Sequence, residues 1–231
     1  MTDHRIEKWR RWCDGPIKND VITMHTRRFV WQQVQDMIQR NDSLPESYWW
    51  LFMKDTYAIT QTIAVRRQAD TGREADSLGR LISEIKDDAG RLTRESWIGQ
   101  WPADDELLLL HAQQSWDRQW AGAVGGHLDP TIPEQDLDTL TVASAAVRHY
   151  VDKQVAHSDA GAKPASFTLT VGDVHDAIDA IGDLFKKYFN LMTASDMAQV
   201  AALLPPNWMV VFVDAWMTPE QAAPFRSPPF A

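Results

Sequence analysis

Cysteine is almost absent from this 231-residue sequence, because Cys13 is the only one. A single cysteine cannot form a disulfide within the chain, and chains without disulfides are typical of a reducing compartment. No stretch of roughly 18 uncharged apolar residues, the length of a membrane-spanning helix, is present. The first residues, "MTDHRIEKWRRW", lack the apolar segment of a signal peptide. The sequence therefore predicts a soluble cytoplasmic protein without a membrane partner.

The sequence also has fewer basic than acidic residues. The chain has 23 Lys and Arg against 32 Asp and Glu, for a net charge of −9. Proteins that coat duplex DNA need an excess of basic residues to neutralise phosphates, so we expect no duplex-DNA partner, although a local basic groove stays compatible with this balance. The sequence has no phosphate-loop glycine pattern, no zinc-ligand spacing and no Gly-x-Ser-x-Gly motif. We expect neither a cofactor nor a metal.

Helix-start patterns are frequent in this chain. In four places a hydroxyl residue is followed three positions later by an acid, which can cap a helix start and complement its positive end. Each pattern opens a stretch in which apolar residues recur at helical spacing. The four are Ser43–Glu46, Thr71–Glu74, Thr131–Glu134 and Thr170–Asp173. They predict an all-α protein.

The predicted fold is an up-and-down helical bundle with peripheral short helices. We expect one bundle domain over residues 1–204, followed by an extended C-terminal segment and tail over 205–231, with 207–216 as an extended run. Eleven tryptophans are many for this length, and we expect Trp49 and Trp50 to be buried in the bundle or at an interface. The predicted helices are 4–13, 17–40, 45–69, 74–88, 102–121, 133–157, 171–193 and 195–203.

The end of the predicted helix 133–157 holds the main candidate site residue, His157. At a helix C-terminus the carbonyl groups favour a protonated imidazole, which raises its pKa toward physiological pH and suits proton transfer or phosphate contact. The alternative is that His157 only caps the helix and Asp159 begins the turn. Lys153 lies one turn before His157 and could supply positive charge. Arg148 lies nine positions before it, which is about 180° around a regular α-helix.

A second candidate cluster lies at the end of the predicted helix 45–69. Arg67 and Asp70 are three residues apart and can pair on one face, and Arg66 is adjacent. Two interpretations stay open. The cluster is either a solvated helix end with its ion pair, or it places one arginine in the same cleft as His157, where its planar group can hold a phosphate through two hydrogen bonds.

The segment "DKQVAHSD" resembles the end of the third-helix motif of the HEPN superfamily. Two further stretches, residues 56–85 and 167–193, resemble its abortive-infection branch, the AbiU2-like bacterial proteins, and together the resemblance spans about 21–193. It implies a helical bundle, a homodimer, and a metal-independent endoribonuclease of a toxin–antitoxin or phage-defence system. RNA and an antitoxin encoded by a neighbouring gene are then the candidate partners.

This sequence departs from the family pattern at Val151, which stands where the family has an arginine. Two functional hypotheses follow. In the first, His157 is a general acid or base, with Arg148, Lys153, Arg66 or Arg67 stabilising the phosphate, and a second copy in a homodimer completes the site. In the second, the chain is a catalytically degraded HEPN dimer that binds RNA, a nucleotide or a protein through the same groove.

Overall fold

The computed structural model describes residues 3–40, 48–122, 125–155, 169–201 and 204–210. Contacts divide the chain into two compact units, Met1–Ala201 and Ala202–Ala231. In the described part of the second unit, the backbone forms turns closed by hydrogen bonds from Trp208 N to Pro205 O and from Val210 N to Asn207 O. The prediction of an extended run is therefore wrong for residues 207–210, while 211–216 lie outside the described residues.

The first unit is an all-α bundle, as predicted. Within the described residues of the chain no strand occurs, only an isolated bridge between Thr93 and His127. No described helix is long and apolar enough to cross a membrane. The helices are α1 (His4–Trp12), α2 (Lys18–Gln39), α3 (Tyr48–Gln68), α4 (Leu78–Asp87), α5 (Arg94–Ile98), α6 (Glu106–Gln119), α7 (Thr131–Tyr150) and α8 (Val171–Thr193).

Helix α8 forms the centre of the bundle. Eleven of its residues are buried, which gives it apolar contact on most of its circumference. It packs against α7, α2 and α3, while α7 also packs against α4 and α3. The core continues into a tryptophan-rich region in which Trp97 and Trp116 are completely buried and Trp120 makes an edge contact with Tyr188 of α8. This arrangement brings the C-terminal ends of α3 and α7 together.

One of the four predicted capping patterns is confirmed and two are wrong. Thr170 and Asp173 form the predicted reciprocal cap of α8. Helix α4 begins instead at Ser77, whose hydroxyl accepts from Arg80 N, because Ser77 also donates to Asp70 O and is held in place. Helix α7 begins two residues early, since Asp129 rather than Thr131 binds the first backbone N–H. The fourth pattern, Ser43–Glu46, lies outside the described residues.

Two helix predictions also need correction. The predicted helix 195–203 is not formed within its described residues, because α8 ends at Ala194 in the left-handed conformation and the following chain to 201 is irregular. A short helix, α5, was not predicted. It is capped reciprocally by Thr93 and Ser96, a pair that lacks the acid of the pattern used to find helix starts.

Of Trp49 and Trp50, which we expect in the bundle or at an interface, only Trp50 is partly buried in the bundle. Trp50 is half-buried and stacks on Trp31 with ring centroids 4.8 Å apart. Trp49 remains 49% exposed. Adjacent residues point about 100° apart on a helix, so one indole of the pair turns inward and the other outward.

Candidate functional site

Helix α7 does not continue as a regular α-helix to its predicted end. It changes at Val151 into a π-helical turn, Val151–Val155. A π-helical turn closes hydrogen bonds between residues five apart, so it rotates less per residue than an α-helix, and such turns are frequent at functional sites. The 180° separation expected for Arg148 and His157 requires a regular α-helix, and the regular α-helix ends at Tyr150. His157 and Asp159 themselves lie outside the described residues.

Arg66 links the end of α3 to this π turn. Its Nε donates to Asp152 Oδ1 at 3.2 Å, and its Nη1 donates to Asp70 Oδ2 at 3.2 Å. The hydrogen bond to Asp152 is the main cause that raises the pKa of Arg66 above its usual value. The side chain is 31% exposed, so this guanidinium is charged, partly accessible and already bonded to two carboxylates.

Asp70 is fixed in position by the backbone that follows it. Its Oδ1 accepts from Gly72 N at 2.8 Å. This hydrogen bond is the largest cause that lowers the pKa of Asp70, and Arg66 and the positive charge of Arg148 lower it further. The charge of Arg148 therefore acts on the same carboxylate that Arg66 binds. The structure brings Arg66, Asp70, Arg148 and Asp152 together at the ends of α3 and α7.

The predicted pairing of Arg67 with Asp70 is wrong. Arg67 does not pair with Asp70 but with Asp20 of α2, at 2.7 Å, beside the hydrogen bond from Gln68 Nε2 to the same carboxylate. Asp152 pairs with Arg66. Tertiary packing brings a partner from another helix within reach in both cases, a carboxylate of α2 for Arg67 and an arginine of α3 for Asp152. Arg67 thus lies on a different side of α3 from Arg66.

Two cations near the π turn have no ion pair among the described residues. Arg148 is half-buried and Lys153 is exposed, and neither forms an ion pair in the described part of the chain. We call the five residues Arg66, Asp70, Arg148, Asp152 and Lys153 the α7-end cluster. It holds three cations and two carboxylates, so it carries net positive charge in a chain whose total is −9. An anion can be held there.

Sequence reasoning missed a second polar cluster, formed where α2, α3 and α8 meet. The hydroxyl of Tyr57 lies 2.8 Å from His175 Nε2. Arg28 donates to the carbonyl oxygen of His175 at 3.2 Å and to Asp179 at 2.6 Å. The only signal in the sequence is the spacing of four between His175 and Asp179, which places both on one face of α8. Their partners come from other helices.

His25 of α2 packs directly against α8 beside this cluster. A Cβ on Gly182 would clash with its imidazole, so glycine makes room for the ring. The Nε2 atom is buried and has no hydrogen-bond partner among the residues that the structure describes. Burial, and then the positive charge of Arg28, lower the pKa of His25 to about 4. The same two causes lower the pKa of His175. The packing of α2 on α8 therefore depends on a neutral histidine.

We expect the free energy of unfolding to decrease as the pH is lowered, because of this histidine. Between about pH 6.5, the usual pKa of histidine, and about pH 4, the unfolded chain binds a proton that folded His25 does not. Unfolding then costs about 1–3 kcal/mol less at the acidic end, allowing for the partial exposure of the ring. Urea unfolding measured across this range should show the loss in the wild type and in a His111→Gln control, and a smaller one in His25→Gln. Equal slopes for all three proteins would contradict this account.

The α7-end cluster lies outside the open cavity described next, and no metal-ligand group accompanies it in the described ranges. An open cavity of about 730 Å³ lies at the C-terminal end of α8, lined by residues that include Arg10, Arg11, Asp14 and Gln100. None of its lining residues belongs to the cluster. Within the described ranges, no group of three or more His, Cys, Asp or Glu side chains is arranged to hold a metal ion.

No family model, no curated protein and no solved structure matches the chain.

Proposed function

We propose that the chain is a HEPN-like protein of a bacterial toxin–antitoxin or phage-defence system that binds RNA at the α7-end cluster and cuts it as an endoribonuclease. One observation carries the proposal. Arg148 is half-buried beside Asp70 and has no ion pair among the described residues, so its charge is available to a phosphate. It stands on the helix that leads directly into the segment "AHSD".

The proposed chemistry assigns one role to each group. His157 takes the proton of a ribose 2′-hydroxyl, or gives a proton to the 5′-oxygen that leaves, as a general acid or base. The 2′-oxygen attacks the adjacent phosphorus and the bond to the 5′-oxygen breaks, which leaves a 2′,3′-cyclic phosphate and a 5′-hydroxyl. Arg148 stabilises the charge that develops on the phosphate oxygens, and Lys153 adds a second positive charge.

The π turn supports a site within one chain. The sequence alone favours a composite site, because a regular helix keeps Arg148 and His157 on opposite sides. The described part of the helix departs from regular α geometry at Val151–Val155, so this objection to a site within one chain does not apply. The proposal assigns Arg148 and His157 of the same copy to one phosphate.

A specific observation favours a second candidate function, a binding module without activity. Arg66, the best-placed arginine from another helix, is already bonded to Asp70 and Asp152. A guanidinium that is held by two carboxylates is a poor phosphate ligand until one of them moves away. Together with Val151 at the position of the family's arginine, this favours a protein that retains RNA, a nucleotide or a partner protein and does not cut.

RNA incubated with the purified full chain in EDTA separates the two functions. We expect short products with cyclic phosphate ends from the wild type, and weaker RNA retention by Arg148→Ala, by about tenfold, because one hydrogen-bonded charge is lost. Arg118→Ala is the matched control, since Arg118 is exposed on α6. If the RNA is retained but stays intact, only the binding-module function remains. If the RNA is neither retained nor cut, both functions are contradicted.

The partners implied by the resemblance belong to the same proposal. These are a second copy of the chain and an antitoxin encoded by a neighbouring gene. Co-expression with the neighbouring gene is the test for the antitoxin. We expect the product to co-purify with this chain and to suppress RNA cleavage. A neighbouring product that neither binds nor inhibits would remove the antitoxin from the proposal.

A further inference from the structure

Helix α3 carries an apolar face that no described part of the chain covers. Four large side chains occupy it at spacings of four, seven and four residues, which places them on one side of the helix. Tyr48 is 91% exposed and Phe52 is 64% exposed, while Ile59 and Ile63 are 44% and 43% exposed. We call these four residues the α3 stripe. Half-exposed Trp49 borders it.

The α3 stripe is unusual for a helix of a soluble bundle. The opposite face of α3 is buried through Tyr57, Gln61, Ala64, Val65 and Gln68. A bundle helix normally presents charged and polar residues on the side away from the core. Large exposed apolar side chains gathered on one face of a helix mark an interaction site.

We propose that the α3 stripe is the surface through which two copies of this chain form a dimer with antiparallel α3 helices. The order of residues along the stripe is self-complementary. If a two-fold axis passes between Asp55 and Thr56, then Tyr48 of one copy lies opposite Ile63 of the other, and Phe52 lies opposite Ile59. Each aromatic ring meets a branched aliphatic side chain, and every contact is made twice, as an isologous interface requires.

The exposed area is sufficient for such a dimer. With about 200 Å² for each large side chain, the exposed fractions of the α3 stripe and Trp49 correspond to roughly 600 Å² per copy. Two copies would bury at most about 1,200 Å² from these residues, which reaches the lower end of the range of stable, specific interfaces. The aromatic content agrees with the enrichment of Tyr, Trp and Phe at the centre of interfaces.

The same geometry separates the two RNA sites. Arg66 lies about ten residues from the proposed axis, so the two copies of Arg66 are roughly 30 Å apart along the paired helices at 1.5 Å per residue. Each copy keeps its own α7-end cluster. The dimer therefore does not rest on the proposed function, and losing one does not remove the other.

One feature of the pairing opposes association. Asp55 is exposed and borders the axis, so its two copies face each other on the same flank of the interface. Like charges about 8 Å apart in a solvated setting repel by a fraction of a kcal/mol to about 1 kcal/mol. Asp55→Asn should therefore tighten the dimer by about twofold to fivefold.

Analytical ultracentrifugation of the full chain at tens of micromolar tests the interface. We expect a dimer for the wild type and for Leu107→Glu, a control on α6 that is 79% exposed. Phe52→Glu should be a folded monomer whose melting temperature falls only by the stabilisation that the dimer contributes. A monomeric wild type would overturn the proposal, including the case in which residues 211–231 or a different protein cover the α3 stripe. A Phe52→Glu protein that remains dimeric would overturn it as well.

Crosslinking tests the orientation of the two helices. Thr56→Cys places a thiol beside the proposed axis, and native Cys13 is buried and does not interfere. A short bismaleimide should join two copies of Thr56→Cys and should not join copies of Thr139→Cys, an exposed position on α7. Crosslinking of both variants alike, or of neither, would contradict the antiparallel α3 pairing.

Discussion

Replacing Trp116 by alanine should lower the free energy of unfolding by about 3–5 kcal/mol. The indole is completely buried and packs against Trp97 with ring centroids 6.4 Å apart. Its Nε1 donates to Gly125 O at 3.1 Å. The substitution leaves a large cavity and removes the partner of a backbone carbonyl, and both effects destabilise the folded state. For a chain of this size the melting temperature should fall by roughly 10 °C or more.

Leu107→Ala is the control for this measurement. The side chain is 79% exposed and lies outside the α3 stripe, so its removal costs less than about 1 kcal/mol of burial. Differential scanning calorimetry of the three proteins is sufficient. Similar losses for the two variants would mean that the tryptophans of α5 and α6 do not form part of the core.

His157→Ala should reduce the rate of RNA cleavage by about 10²–10⁴-fold, the range for removing a general acid or base. RNA affinity should change by less than about threefold, because phosphate binding is assigned to Arg148 and Lys153. This pattern of rate loss without affinity loss distinguishes a catalytic group from a structural one.

His111→Ala, on the exposed side of α6, is the control and should cleave RNA like the wild type. Cleavage kinetics with a single RNA substrate at saturating protein provide the rates. If His157→Ala cleaves at the wild-type rate, the ribonuclease proposal is wrong and the binding module remains.

The helical class could be predicted from the sequence because it depends on local signals. The cap at Thr170 and the apolar periodicity of 171–193 gave the bounds of α8 correctly. A predicted helix start was wrong where another nearby residue caps the helix, as Ser77 and not Thr71 does for α4. The composition of residues 195–203 is compatible with a helix and predicts one. The structure instead ends α8 at a single residue in the left-handed conformation, Ala194, and no composition signal marks it.

The candidate site was predictable only in its residue types. Arg66, Asp70 and Arg148 do come together, but the pairings are set by the approach of α3 to the end of α7, which no local pattern encodes. Arg67 pairs with Asp20 and not with Asp70 for the same reason. The π turn at Val151 also left no signal in the hydrophobic pattern, since it changes backbone hydrogen bonds and not the order of apolar residues.

Hydrogen–deuterium exchange of the full chain with and without a short single-stranded RNA shows whether the α7-end cluster is the RNA site. We expect slower exchange on RNA binding in the backbone around Arg66 to Asp70 and around Arg148 to Lys153, and unchanged exchange in α6. In Arg148→Ala the protection should be lost at the same RNA concentration. Protection confined to other helices, or no protection at RNA concentrations that saturate binding, would contradict the account.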